Sequence, residues 1–173
     1  MKKLNRVLAA LLVLLVMSVA VAPSVVSAKH VPADVYQVPD FKIIIIVMTV
    51  GSTDITISGK PGKIDAGPQI ECDLAWAPIA PIIEALGGTI TWDAATGVVT
   101  IVLGTKTIVL TIGSKYAVVN GTSILIDPKC ENAPYIQEPG HTMLPVRFIA
   151  EQLGGYVAWD PTIQRVTMIF FRP

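Results

Sequence analysis

The stretch EQLGGYVAWD, residues 151–160, is nearly a copy of EALGGTITWD, residues 84–93. Glu, Leu-Gly-Gly and Trp-Asp recur at one spacing, which could serve an active site or a piece of architecture. Reading outward favours architecture, because the likeness runs far beyond ten residues. Upstream, MTVGSTDITISGKPGKID (48–65) lies over LTIGSKYAVVNGTSILID (110–127), with Gly51 over Gly113 and Asp65 over Asp127. Downstream, Pro78 lies over Pro145, Trp92 over Trp159 and Val99 over Val166. The spacing between equivalent residues changes from 62 to 67 positions, so the second unit carries five extra residues between Asp127 and Met143. A period of this size marks one supersecondary unit used twice. The units expected are residues 43–105 and 106–173.

Each unit begins with apolar, β-branched runs, IIIIVMTV and DITIS in the first, KTIVLTI and YAVVN in the second, separated by Gly-Ser turns. These read as strand pairs. Asn120-Gly121 adds a tight-turn signal, a simpler reading of Asn-Gly-Thr than a glycosylation sequon. Ile79, Ile82, Ile83 and Leu86 then fall at i, i+3, i+4 and i+7, as do Val146, Ile149, Ala150 and Leu153, giving a short helix with one apolar stripe in each unit. Pro78 and Pro145 are expected in the first turn, and Gly87 and Gly154 just past the end. Pro81, whose counterpart is Phe148, is expected to shorten the first helix. TITWD and YVAWD alternate as strands, and VVTIVL and RVTMIFF return after turns that Asp93 and Asp160 cap with their carboxylates. The expected fold is α+β: an antiparallel, β-rich domain of two tandem β-β-α-β-β units, each sheet packed on a short helix.

Composition bounds the partners. MKKLNR followed by VLAALLVLLVMSVAVAP reads as a secretory signal over residues 1–28, cleaved after Ala28, with 29–42 as an N-terminal extension. Without Lys2, Lys3 and Arg6, ten basic residues face 13 acidic ones, so the mature chain carries a net charge of about −3. Neither nucleic acid nor, after cleavage, a membrane is an expected partner. Export to the extracellular space or cell envelope is expected. Cys72 and Cys130 would then meet oxidising conditions, and a disulfide is the expectation, buried free thiols the alternative.

The run MLPVRFIAEQLGGYVAWDPTIQRVTMI (143–169) resembles the duplicated unit of the copper amine oxidase N-terminal-like, or stalk, domain of secreted bacterial proteins. Its pattern is Pro-x-Arg-x-x-x-Glu-x-Leu-Gly-Gly, Trp-Asp and a Val-rich strand. The second unit fits at Pro145, Arg147, Glu151, Leu153, Gly154 and Trp159; in the first, Ala80 stands where Arg147 does. The resemblance implies an antiparallel sheet against helix, used as a peripheral module of larger extracellular proteins. It imports no copper chemistry, because in the amine oxidases the copper ligands and the tyrosine-derived cofactor belong to a separate catalytic domain.

The residues themselves point away from catalysis. An internal metal site needs three or four converging ligands, and the chain offers His30, His141 and two cysteines, so no cofactor is expected. Cleavage after Ser27 would expose Ala28-Lys29-His30, an N-terminus suited to Cu(II), but the preferred cut removes it. Ser123, Cys130, His141 and Asp160 lie in no nucleophile signature. Glu84 with Asp93, and Glu151 with Asp160, repeat as carboxylate pairs, yet each Glu falls on a polar helix face and each Asp at a turn. Arg147, four residues before Glu151, can form an exposed ion pair of about 0.3 kcal/mol. The Arg is missing from the first unit, so Arg147 and Glu151 are ligand-contact candidates. Among the aromatics, Trp92 and Trp159 are expected in the core, while Trp76 and Tyr135, in less repetitive loops, are candidates for exposed contact. The reading is a non-catalytic exported structural or interaction module of the envelope or extracellular space. The alternative is a carbohydrate- or cell-wall-binding module, and the partners are a cell-wall glycan or an envelope protein.

Overall fold

The computed structural model describes residues 42–172. The signal segment, its cleavage site, the N-terminal copper reading and all of the extension but Lys42 lie outside the described residues. Among the described residues, fourteen strands and two helices form in the order β1 (Lys42–Thr49), β2 (Asp54–Ile57), β3 (Lys60–Lys63), β4 (Gln69–Glu71), β5 (Leu74–Ala77), α1 (Ala80–Ala85), β6 (Thr89–Asp93) and β7 (Val98–Leu103). The same order follows in β8 (Lys106–Thr111), β9 (Tyr116–Val119), β10 (Thr122–Leu125), β11 (Tyr135–Gln137), β12 (His141–Pro145), α2 (Val146–Gln152), β13 (Tyr156–Asp160) and β14 (Arg165–Arg172). The domain is therefore antiparallel, β-rich and α+β, as expected. No helix among the described residues is long and apolar enough to cross a membrane.

Two details of the expected topology are corrected. Five strands, not two, precede each helix. The missed ones are short and lack alternation; β3 reads Lys-Pro-Gly-Lys and β4 Gln-Ile-Glu. The sheets are also not confined to one half of the chain. One has the order β13-β14-β1-β2-β3, a second β10-β9-β8-β7-β6 and a third β11-β12-β5-β4, so all three take strands from both halves. Burial explains the exchange. β1 buries every second side chain, and its partner β14 places Phe170, Met168 and Val166 opposite Ile44, Ile46 and Met48. Such cross-strand apolar pairs are the stabilising units of a sheet. In the other five-stranded sheet Val99 faces Leu110 and Ile101 faces Ile108. Met48–Val166 and Leu110–Val99 occupy the same place in the two sheets, and Ala77–Leu144 joins the halves at the middle of the third.

The expected helix stripes are buried, and the two face a common void of about 10 Å³ together with Met168 and Phe170. The prolines sit earlier than expected. Pro145 is the N-cap of α2, Pro78 precedes the N-cap Ile79 of α1, and Pro81 lies in the first turn of α1, which is one residue shorter than α2. Pro81 has no N–H to lose there. Both helices end as the sequence suggests. Gly154, at φ +89°, donates its N–H to Glu151, and Gly155 donates to Ala150; Gly87 and Gly88 make the same bonds to Glu84 and Ile83. This is a Schellman ending, which satisfies carbonyls of the last turn. The second glycine is required for space: a Cβ on Gly155 would lie 2.4 Å from Cε1 of Phe170.

Candidate functional site

The residues named for catalysis do not converge. Asp93 Oδ1 accepts the N–H of Ala95 at 2.9 Å and its Oδ2 accepts the Thr96 hydroxyl at 2.7 Å, while Asp160 Oδ1 accepts the N–H of Thr162 at 2.9 Å. Both are the turn caps expected of them. The Thr96 hydroxyl, then the Ala95 N–H, hold the Asp93 carboxyl below its ordinary value of 3.8. A depressed carboxylate adds stability above its unfolded value, and that part is lost as pH falls through the lower folded one. Thr96→Ala is accordingly expected to move the Asp93 midpoint up toward 3.8 in a pH titration followed by NMR.

Cys72 and Cys130 are joined in a disulfide, with Cα atoms 6.3 Å apart. Asp127 brings a carboxylate oxygen within 4.8 Å of both sulfurs, but sulfurs bonded to each other are not free thiolate ligands. The bridge ties the β4–β5 turn to the loop after β10. Both residues of that turn, Cys72 at φ +51° and Asp73 at φ +65°, are left-handed. Lys129 adds an ion pair to Asp73 beside the bridge. Their hydrogen bond and mutual attraction hold Asp73 below the usual carboxylate range and Lys129 above the usual ammonium range.

The aromatics reverse their expected roles. Trp76 is 0 % exposed and packs with Ala66 and Met143 in a second, smaller core cluster. Its strand β5 lies inside the third sheet, between β12 and β4, which removes it from solvent. Tyr135 is half-buried against it, ring centroids 5.8 Å apart, with its hydroxyl 3.1 Å from Gln69 Oε1. Burial, followed by the charge of Glu71, pushes the Tyr135 phenol up to about 12. Trp92 and Trp159 are instead 45 % and 37 % exposed. They sit on β6 and β13, edge strands of the two five-stranded sheets, with no strand on one side to cover them.

Each exposed indole lines an open groove. The first, of about 530 Å³, joins Trp92 with Val99, Ile136, Asp65, Glu84 and His141. The second, of about 480 Å³, joins Trp159 with Ile70, Asp73, Asp127, Lys129 and Arg147. A recess beside it, lined by Val157 and Val166, shares Ile70, Arg147 and Trp159. The grooves occupy matching positions of the two halves: Trp92 answers to Trp159, Ile136 to Ile70, Asp65 to Asp127 and Ala80 to Arg147.

Their charges differ. The Trp92 groove carries two exposed carboxylates and no Lys or Arg. In the Trp159 groove two acids face two bases. Asp127, 3 % exposed, accepts the N–H groups of Lys129 at 2.9 Å and Cys130 at 3.2 Å on Oδ1, and its Oδ2 has no hydrogen-bond partner. Arg147 is exposed and makes no ion pair among the described residues, so the pair with Glu151 that its spacing allows does not form. Glu151 is exposed on α2 but does not line the groove, whereas its counterpart Glu84 lines the Trp92 groove. Of the four ligand-contact candidates, the structure places Arg147 at a groove, Glu151 beyond its lining, and Trp76 and Tyr135 in and against the second core cluster. The groove tryptophans were missed because no periodicity within β6 or β13 reveals that these strands are edges.

No curated protein and no solved structure matches the chain. The family model described as the copper amine oxidase N-terminal domain matches residues 56–168, from β2 to β14, a span that contains both helices, the disulfide and both grooves. The N-terminal domain of copper amine oxidases is non-catalytic. On a match covering most of its length, the chain belongs to the copper amine oxidase N-terminal domain family.

Proposed function

We propose that the protein is a non-catalytic interaction module, exported to the extracellular space or cell envelope, whose contact surface is the pair of tryptophan-lined grooves. The observation that carries this reading is the exposure of Trp92 and Trp159 at matching positions. A tryptophan left half in water contributes less to the core than a buried one, and exposed aromatics in concave surfaces are the residues that carry binding energy. Matching registers in the two five-stranded sheets, with the sequence repeat, support descent from one duplicated unit. The basic and apolar start of the chain supports export, and the Cys72–Cys130 bridge suits an oxidising compartment.

A second reading, in which the partner is a cell-wall glycan, is favoured by one feature: each indole shares its groove with carboxylates, acceptors suited to sugar hydroxyls. Pull-down on purified cell-wall glycans tests it. Retention should be lost in Trp92→Ala/Trp159→Ala with the unfolding midpoint little changed. Retention equal to wild type in that variant would remove the grooves from the reading, and absence of retention by wild type would return the partner to envelope protein.

A further inference from the structure

We infer that the Trp159 groove, and not its Trp92 counterpart, is a binding site for a carboxylate-bearing pyranose, an acidic sugar unit of a polysaccharide. The inference rests on the glycan reading above and names the groove and the ligand chemistry.

The indole of Trp159 offers a flat apolar face, against which the C–H face of a pyranose ring can lie. Around it the charged groups are unequally committed. Asp73 and Lys129 are paired with each other, and Asp127 spends Oδ1 on two backbone N–H groups. Arg147 alone of the four has no partner among the described residues. Its guanidinium is a planar fork of donors that matches a carboxylate at two points, which a compact ammonium cannot do. An acidic sugar stacked on Trp159 supplies that carboxylate. A neutral sugar leaves the fork unmatched, and an amino sugar sets a like charge against it. Asp127, also in the groove lining, keeps its buried Oδ2 without a donor.

The counterpart groove argues the same point by contrast. It has the indole, but Ala80 replaces Arg147, and the carboxylates of Asp65 and Glu84 face the space without a Lys or Arg to offset them. An acidic sugar would meet repulsion there. The mature chain carries about −3 overall, so general attraction of polyanions is absent and binding should depend on Arg147 itself.

The test uses the full mature chain and two probes, polygalacturonate and its fully methyl-esterified form, which share the pyranose ring but differ in whether the carboxylate is free. Wild type should bind the free acid about tenfold more tightly than the ester. Arg147→Ala should erase that difference, Trp159→Ala should weaken binding of the free acid, and Trp92→Ala, in the groove where Ala80 replaces Arg147, should keep the preference for the free acid over the ester. Both groove residues to be replaced, Arg147 and Trp159, are exposed, and a cooperative unfolding transition retained in each variant would show that it folds. Equal binding of acid and ester by wild type, still dependent on Trp159, would overturn the acidic-sugar assignment while leaving the glycan reading standing. Loss of the acid preference in Trp92→Ala, with Arg147→Ala keeping it, would overturn the choice of groove, and retention of neither polymer would overturn the inference, with the wall-glycan pull-down deciding the broader reading.

Discussion

Replacing both Cys72 and Cys130 by serine is expected to lower the free energy of unfolding by about 4 kcal/mol, from the closure of a 58-residue separation in the unfolded chain. The loss should be visible as a lower denaturant midpoint with chemical unfolding of the variant beside wild type. The location of the bridge makes the loss more than an entropy effect. It anchors a two-residue turn whose residues, Cys72 and Asp73, are both left-handed without being glycine, a conformation that costs free energy unless neighbours hold it. Lys129 remains to grip Asp73 in the serine variant, but an exposed ion pair contributes little. A variant as stable as the parent would show that the bridge does not form in the folded protein.

The second large effect belongs to Trp76. Trp76→Ala should cost about 3–5 kcal/mol, because the whole side chain is withdrawn from water and Tyr135, Met143 and Ala66 would be left around a cavity. Trp159→Ala, at a half-exposed edge-strand position, should cost about 1 kcal/mol in the same unfolding measurement. The contrast matters for function as well as stability. A residue that can be removed at little cost to the fold is available to selection for binding, and Trp76 is not such a residue.

The contrast also shows where sequence reasoning reaches its limit. The helix stripes, the glycine endings at Gly87 and Gly154 and the aspartate caps at Asp93 and Asp160 were legible because each depends on residues within a few positions of one another. Asn120-Gly121 was legible for the same reason, and its turn places Asn120 Oδ1 2.9 Å from the Thr107 N–H. Pairing of β1 with β14 was not, since Ile44, Ile46 and Met48 announce only that one face of their strand must be covered, not by which strand. The burial of the tryptophans follows from that missing information. Trp76 looked exposed because its surroundings do not repeat, yet β5 is an inner strand; Trp92 and Trp159 looked buried because they repeat, yet β6 and β13 are edges. Repetition preserved a surface here as faithfully as it preserved a core.

The same reasoning bears on the first signal in the chain, the doubled Glu, Leu-Gly-Gly and Trp-Asp. Leu153 and the glycines build the helix and its ending, and Asp160 builds a turn. Trp159 faces the groove, with Arg147 rather than Glu151 beside it. On the reading proposed above, the functional content of the motif lies with Trp159 and with Arg147, whose counterpart in the first half is Ala80.

Everything proposed for the grooves depends on Trp92 and Trp159 being the indoles in contact with water and Trp76 being the one withheld from it. Acrylamide quenching of intrinsic fluorescence in Trp92→Phe/Trp159→Phe, where Trp76 is the remaining tryptophan, measures this directly. The account predicts a blue-shifted emission that acrylamide quenches far less than it quenches wild type. Quenching of Trp76 in the folded variant as strong as in wild type would contradict it.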